Sequence, residues 1–597
     1  MQVILGISAY FHDSAAAIII DGKVVAAAQE ERFTRIKNDP SFPIKACAFC
    51  LQKANLSIDH VDYVVYYEKP FLKFERLIET YINAAPRGLK SFITSMPLWL
   101  KDKLHLKTNI RRELLSLSSS EPKFELLFSE HHLSHAASSY FASPFSRAAI
   151  LTVDGVGEWA TTSIFKANGT RIELLQEQNF PDSLGLLYSS FTYFLGFKVN
   201  SGEYKIMGLA PYGNKDSAET KCFINLIKTN IVAINTNGSI KLNQSFFSYT
   251  YALKMIRTKK WEKLFGINKR EPESEIHQCH CNLAYAIQNV TEEIMIKLAI
   301  HTKEVTGECK LCLSGGVALN CVANSKLLSL GIFDEIYIQP ASGDAGGALG
   351  AAWIGYFLIN PQLNKSTTDE MQGCLLGPEF STDYIRKVLE QNKIKFQYFE
   401  TLDAITEIIA TYLSNGKIIG WFQGAMEFGP RALGNRSIIA DPRQLNAQYI
   451  INSKIKYREI FRPFAPAIID KDLNNYFDIN SQSPYMLFVA QVKNCHPLPD
   501  KYNTMSIQEK IITKRSSLQS ITHVDLSARI QTVSSSTNPL FYKLLTSFKK
   551  VSGCSVLLNT SFNLRGEPLV CTPDDAIKTF HSSELDILVI NNFIIVK

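Results

Sequence analysis

The chain has 597 residues, and a single hydrophobic core rarely grows beyond about 250–300, so at least two domains are expected. Hydrophobic residues at 46% and charged residues at 20% give a globular balance that excludes disordered and collagen-like classes. The formal charge of +7 is mild for this length; it suits anionic small molecules and does not argue for nucleic acid.

The first residues, MQVILGISAYF, show no basic leader region, and no run of about 18 apolar residues follows anywhere, so a cytoplasmic location without a membrane partner is expected. The 12 cysteines have no small-domain disulfide spacing and read as reduced thiols. VILGISAY reads as a strand, HDSA as a polar break, and AAIIIDGKVVAAAQEER as strand, DGK turn and strand, a hairpin signature. A meander of this kind recurs in actin- and sugar-kinase-like ATPase folds, where the first break faces a nucleotide or reacting group. Cys47 and Cys50 fall in the helical-looking IKACAFCLQKA, and Cys309 and Cys312 lead into a strand in CKLCLSGG; both pairs read as packed thiols rather than zinc ligands.

EHHLSHAASS (130–139) carries three histidines at the start of a helical segment. His131 and His135 stand at i and i+4 on one helical face, the spacing of two metal ligands and equally of a hydrogen-bonded pair. His132 points about 100° away and drops out of that set. Three strand–loop units follow: 148–165 with VDGVGE, 310–328 with a Gly-Gly turn, and 336–356 with SGDAGG. Glycines allow close backbone approach and helix N-termini favour anions, so three such loops after an N-terminal hairpin point to a phosphate-cradling α/β domain. Asp154 and Asp344 stand at comparable turns, where Asp before Gly is also ordinary turn chemistry. Two histidines and two aspartates describe a site for Fe(II), Zn, Mn or a related divalent ion.

KMIRTKKWEKLFGINKR (254–270) interleaves Trp261 and Phe265 with basic residues; it reads either as a solvated element or as a rim for an anionic or carrier-linked acceptor. HQCHC (277–281) heads a periodic helix, so its side chains diverge and no metal site is expected there. The polar, aperiodic LINPQLNKSTTDEMQG (358–373) reads as a linker. Beyond it, strands and helices resume with Arg- and Gly-rich turns. The expected organisation is 1–357, a linker at 358–373, and 374–597.

Eleven stretches in order carry a family resemblance: ISAYFHDSAA, QEERFTRIK, EHHLSHAASSYFASPF, VDGVGE, SGEYKIMGLAPYG, LSGGVALN, PASGDAGGALGAA, EFGPRALGNRSI, FRPFAPA, SPYML and LNTSFN with RGEP. The chain resembles the O-carbamoyltransferases of the NodU/CmcH type. The resemblance implies an α/β protein with an N-terminal TsaD-like domain of the actin/sugar-kinase superfamily and a C-terminal YrdC-like domain. It implies His131, His135, Asp154 and Asp344 as ligands of a divalent metal, expected as Fe(II) with Zn or Mn as alternatives. It implies His12 as the catalytic histidine of transfer, with Lys37 near the phosphates or the developing oxyanion. Glu203, Lys205, Asn320 and the amides around Gly155, Gly157, Gly315 and Gly316 would complete a nucleotide site, Asn320 having helix capping as its alternative. Arg431, Arg436, Arg462, Arg529 and Arg565, with Asn559, Ser561 and Asn563, would hold carbamoyl phosphate and ATP, the latter with Mg, because fixed planar guanidinium groups suit anions.

The expected activity is ATP-dependent carbamoyl transfer through a carbamoyl adenylate to a small-molecule hydroxyl acceptor. Threonylcarbamoyl transfer to tRNA is a rival, disfavoured by the absence of an RNA-binding stripe. A nucleotide-binding scaffold without turnover is another, supported by Ala425 where the family has Arg. A second departure puts Leu526 in HVDLSAR where the family has Gly.

Overall fold

The structure, a computed structural model, describes residues 1–103, 105–118 and 123–597. Its Cα packing resolves two compact units, Met1–Glu30 with Asn38–Glu370, and Glu31–Lys37 with Met371–Lys597. Residues 31–37 therefore leave the expected first segment. Arg32 donates to the carbonyl of Gly429 at 2.7 Å, and Arg35 donates to the carbonyls of Leu569 and, at 3.1 Å, Pro568. The stretch read as a linker is not free chain. The Lys365 ammonium donates to the carbonyl of Ser143 at 2.5 Å, Tyr337 donates to Asp369 at 3.0 Å, and the Glu370 amide donates to Ala142 at 3.0 Å.

In the first unit, β1 (Val3–Ser8), β2 (Ala15–Ile20) and β3 (Lys23–Gln29) form the expected meander. Asp21 and Gly22, at φ 48° and 81°, supply the left-handed pair that a two-residue hairpin requires. β4 (Tyr63–Tyr66) and β5 (Glu125–Phe128) add in parallel, giving the order β3-β2-β1-β4-β5. A second sheet uses β6 (Arg147–Val153), β7 (Ala160–Asn168) and β8 (Arg171–Asn179). After a small hairpin of β9 (Val232–Ile234) and β10 (Ile240–Leu242), it adds β11 (Lys310–Ser314) and β12 (Glu335–Ile338). Its order, β12-β11-β6-β7-β8, repeats the first sheet: an antiparallel meander followed by two parallel strands. This duplicated α/β topology is the actin/sugar-kinase arrangement expected, and it was invisible in the sequence because the repeat lies in strand order rather than in residues.

The His131–Tyr140 helix and the Asp344–Ile359 helix pack in the first unit through small residues. A Cβ at Gly350 would overlap the carbonyl oxygen of Ser134, and one at Gly6 of β1 would overlap that of Ala348. The Asp344–Ile359 helix is thereby locked at backbone distance against both the histidine helix and the first sheet. Its first residue is Asp344, so this packing also places a carboxylate beside the histidines.

The second unit is α/β as well. Its ten-stranded mixed sheet has Ile419–Phe422, Arg436–Ala440 and Val556–Ser561 near the centre, and the Leu402–Ser414 and Pro539–Ser552 helices pack on one another. Leu526 sits in a tight turn between the His523 carbonyl, which accepts its amide at 2.9 Å, and the Ser527–Val533 strand, at φ 66°. This is the left-handed region, where a branched side chain is strained and glycine is not.

Two outcomes are expected. Gly350→Ala should destabilise the first unit by about 3 kcal/mol in urea unfolding, because neither backbone can retreat. Leu526→Gly should stabilise the second unit by about 0.5–1 kcal/mol in the same assay, as relief of strain outweighs the added unfolded-state entropy.

Candidate functional site

Four side chains that are distant in sequence converge in the first unit. His131 and His135 project from one face of their helix, Asp154 follows β6, and Asp344 opens its helix. The two imidazole Nε2 atoms lie 3.1 Å apart. His131 Nε2 is 3.3 Å from Asp154 Oδ2 and 3.6 Å from Asp344 Oδ1, and His135 Nε2 is 3.5 Å from the latter. One donor atom from each residue lies within 4.8 Å of the others. Donors bound at about 2.0–2.2 Å to one ion stand about 3–4 Å apart, so the four fit a single divalent cation. The fit has a chemical side. Two buried ring nitrogens face each other, and the Asp344 Oδ2 and His135 Nδ1 atoms have no hydrogen-bond partner among the described residues. A cation accepts both nitrogen lone pairs and offsets two carboxylate charges; a neutral core would not gather these groups.

The surroundings hold the quartet in place. Asp154 Oδ1 accepts the Gly316 amide at 2.8 Å. Glu158, itself buried, accepts the first helical amide, that of His131, at 3.0 Å and that of Lys69 at 2.7 Å, thus capping the histidine helix. Glu68 is also buried; its Oε2 lies 3.8 Å from His131 Nδ1 and accepts from the Lys73 ammonium at 2.7 Å. At that distance the Glu68 carboxylate acts on the far nitrogen of His131 through its charge, which raises the ring's basicity. Gly157 is needed for space, since a Cβ there would come within 3.1 Å of both His131 and His132. His132 is buried and pairs with Ser163 Oγ at 2.7 Å; burial, with His131 next to it, pushes its pKa well below the usual value. It serves the core and does not face solvent. Glu158 stood inside the quoted VDGVGE motif; Glu68, in YYEKP, gave no signal in sequence.

His12 stands at the mouth of the first hairpin. Its Nδ1 lies 3.0 Å from Asp13 Oδ2 and 4.0 Å from Asp344 Oδ2, and the Phe11 ring lies against it at a tilt, with centroids 4.4 Å apart. Burial lowers its pKa, but Asp344 and Asp13 outweigh burial and raise it to about 9. The ordinary imidazole value of about 6.5 therefore does not hold in this arrangement. The same opposition of burial by carboxylates raises His131 to about 10.

The predicted nucleotide residues divide. Gly155 has open space at its Cβ position, whereas Gly315, at φ 86°, fits tightly against Val153. The Gly316 amide is occupied by Asp154. Asn320 takes its alternative role: its side-chain oxygen accepts the Ala323 amide at 3.1 Å as a helix cap, and its amide pairs with Gln288. Glu203 Oε1 accepts from Ser189 at 2.8 Å, and the Lys205 ammonium lies over the Phe197 ring.

The second unit gathers like charges. Burial and mutual repulsion lower the pKa of Lys456, with Arg458, Arg462 and Lys37 acting on it. Arg458 is lowered by burial, then by Arg462, and also by Arg529; Arg462 is lowered by burial, with Arg431 and Arg565 adding to it. Glu459 is the acid among them, 3.9 Å from Arg462 and 4.0 Å from Arg565. Lys456, only 2% exposed, donates to Asn563 Oδ1 at 2.8 Å and Ser561 Oγ at 3.0 Å, and to the Ser561 carbonyl. Lys37, expected near the phosphates or the developing oxyanion, lies in the 31–37 stretch that packs with the second unit, and its charge acts on Lys456. Lys456 and Arg458 escaped the sequence reading, although they stand just before FRPFAPA.

Arg436 and Asn559 do not join. Arg436 is wholly buried and donates to the carbonyls of Gln423 at 2.7 Å, Asn435 and Pro378 at 3.0 Å, and Gly424 at 3.1 Å. Both terminal nitrogens are taken by carbonyls, and it holds a loop. Asn559 donates to Gln531 at 2.7 Å and to the Ala432 carbonyl at 3.2 Å, supporting the same loop from the sheet. Glu427 accepts the amides of Leu433, Asn435 and Arg436 within 3.1 Å, so EFGPRALGNR folds around its own carboxylate.

Residues 3–353 match the family model described as Carbamoyltransferase N-terminus, and residues 410–597 match Carbamoyltransferase C-terminus. An uncharacterized protein of Synechocystis is 50% identical over 100% of this chain and 97% of its own length. The nodulation protein NolNO of Sinorhizobium fredii is 35% identical over 98% of this chain and 79% of its own. The 3'-hydroxymethylcephem-O-carbamoyltransferase of Amycolatopsis lactamdurans is 31% identical over 52% of this chain and 53% of its own.

The metal set is testable through its support. Glu68→Gln should lower divalent-metal affinity about 10–100-fold in a chelator competition, with the fold intact by circular dichroism, because His131 loses the negative charge beside its far nitrogen.

Proposed function

The chain belongs to the carbamoyltransferase family, and on that premise we propose that it transfers a carbamoyl group from carbamoyl phosphate, with ATP, to the hydroxyl of a small-molecule natural product or sugar. In the second unit, carbamoyl phosphate is hydrolysed to carbamate and phosphate. The carbamate oxygen then attacks the α-phosphorus of ATP, giving carbamoyl adenylate and pyrophosphate. In the first unit, the acceptor oxygen attacks the carbamoyl carbon, AMP leaves, and the hydroxyl proton passes to the protein. The acceptor class follows the relatives, one of which is named for O-carbamoylation of a hydroxymethylcephem.

The observation that supports the first half is the cation cluster around Lys456, with Glu459 beside Arg462 and Arg565. Buried like charges destabilise the unit until an anion offsets them, and both proposed substrates are polyanions. Lys456, Arg458 and Arg462 would bind the phosphates, with Lys37, Arg431, Arg529 and Arg565 around them. Ser561 and Asn563 orient the Lys456 ammonium. For the second half, His12 has Nδ1 engaged by Asp13, which leaves Nε2 for the acceptor's proton. His131, His135, Asp154 and Asp344 would hold a divalent ion, which supplies Lewis acidity toward a phosphate or carbonyl oxygen and offsets the carboxylate charge that raises His12.

The two halves separate in one experiment. With labelled carbamoyl phosphate, ATP and metal, the wild-type chain should release pyrophosphate and, given an alcohol acceptor, AMP. Lys456→Met should lose pyrophosphate release. His12→Ala should keep it while transfer falls about 10²–10⁴-fold, the range for a general acid–base group. If wild type forms neither pyrophosphate nor AMP, the route through an adenylate is wrong.

A further inference from the structure

Two basic stretches lie outside the chemistry described above, and both belong to the first unit. Residues 87–112 hold seven Lys or Arg against one acidic residue, and so do residues 254–270. Each is net +6; together they carry +12, so the remainder of a chain whose total is +7 is net −5. The fold brings the two together although about 140 residues separate them. Gly88, at φ 85°, fits against Tyr251, where a Cβ would lie 2.9 Å from the Tyr251 Cβ and carbonyl oxygen. Tyr251 is held by Arg257, whose Nε donates to its hydroxyl at 2.8 Å.

Apolar side chains stand out from this seam. Leu89 and Ile93, one turn apart on the Leu89–Lys103 helix, are 64% and 62% exposed, and Leu253 is 91% exposed. Arg87, Lys90 and Lys254 are exposed beside them. The rest of 254–270 anchors the face. Trp261 and Phe265, which the sequence offered as part of an aromatic rim, are buried and pack on Phe191 and Phe194, leaving Lys259, Lys260 and Lys263 outward.

We infer that the seam formed by 87–93 and 251–263 docks the enzyme on an anionic lipid surface. Exposed aliphatic side chains ringed by Lys and Arg are the composition that enters the headgroup boundary of a bilayer: the aliphatics bury beneath the headgroups while the cations meet anionic lipid. Leu89 and Ile93 protrude together from one helical face and Leu253 from the facing loop, which suits a deformable lipid boundary better than the grooved face of an acidic protein. No helix among the described residues is long and apolar enough to cross a membrane, so the contact is peripheral. The expectation of no membrane partner rested on the lack of a spanning segment, which does not bear on such a contact.

The test is cosedimentation of the full-length chain with phosphatidylcholine vesicles, with and without about 30% phosphatidylglycerol. Binding at least about tenfold tighter to the anionic vesicles, and reversed by about 0.5 M salt, is expected. The double variant Leu89→Glu, Leu253→Glu should lose that preference while retaining carbamoyl-transfer activity. Should that pair misfold, Lys90→Gln with Lys254→Gln gives a second reading and should weaken binding in the same direction. Equal binding to both vesicle types would overturn the inference. So would anionic binding that both variants leave unchanged, which would assign it to the cation cluster of the second unit. Binding to a soluble acidic protein in place of vesicles would overturn it too.

Discussion

The chemistry of the first unit depends on one close approach. Gly350 lies against the Ser134 carbonyl with no room for a Cβ, and Gly6 meets the same helix from the sheet side. Two helices held at backbone distance cannot slide, so the i, i+4 histidines of one are fixed against the first residue of the other. Asp344 opens its helix, and the positive end of that helix favours its charge. Asp154 completes the set from the end of β6, steadied by the Gly316 amide. The runs of Ala, Gly and Ser in both helices are therefore positional as much as hydrophobic. They set the separation that brings four possible metal donors within 4.8 Å of one another.

The second unit resolves its charges in three different ways. Glu427 is satisfied by three backbone amides, and Arg436 by four carbonyls. Both are held mainly by backbone groups and keep a loop in shape, although Arg436 Nε and Glu427 Oε2 have no hydrogen-bond partner among the described residues. The group around Lys456 is different: most of its members are cations, Lys456 is buried with half-buried arginines about it, and Glu459 stands near Arg462 and Arg565. On the proposed reading, an anion bound there would restore the balance and couple binding to stability. Arginines equivalent in a motif thus separate by partner: Arg436 builds the loop, while Arg431, five residues earlier, belongs to the charge cluster.

Local signals were the legible part. The DGK hairpin, the helix beginning at His131, the strand–Gly-Gly–helix unit at 310–328 and the helix after SGDAGG are set by periodicity and turn residues within a few positions, and each is present. His131 and His135 could be paired by helical spacing alone, and the structure gathers Asp154 and Asp344 to them. Residues whose role depends on a distant partner could not be read. Lys37 joins the second unit because Arg32 and Arg35 beside it bind carbonyls about 400 and 530 residues away along the chain. Trp261 faces the core because Phe191 and Phe194 wait there, and Asn320 caps a helix while pairing with Gln288.

By itself, then, the sequence determined the order and type of the elements, the histidine pair and the family resemblance, since these rest on spacing between near neighbours. Only the tertiary structure decided which cations cluster without enough acid, which arginine is consumed by carbonyls, and that two basic stretches meet at Gly88 and Tyr251. Charge and hydrogen-bond capacity are spent on whatever lies within a few ångströms, and that neighbourhood is made by packing rather than by position along the chain.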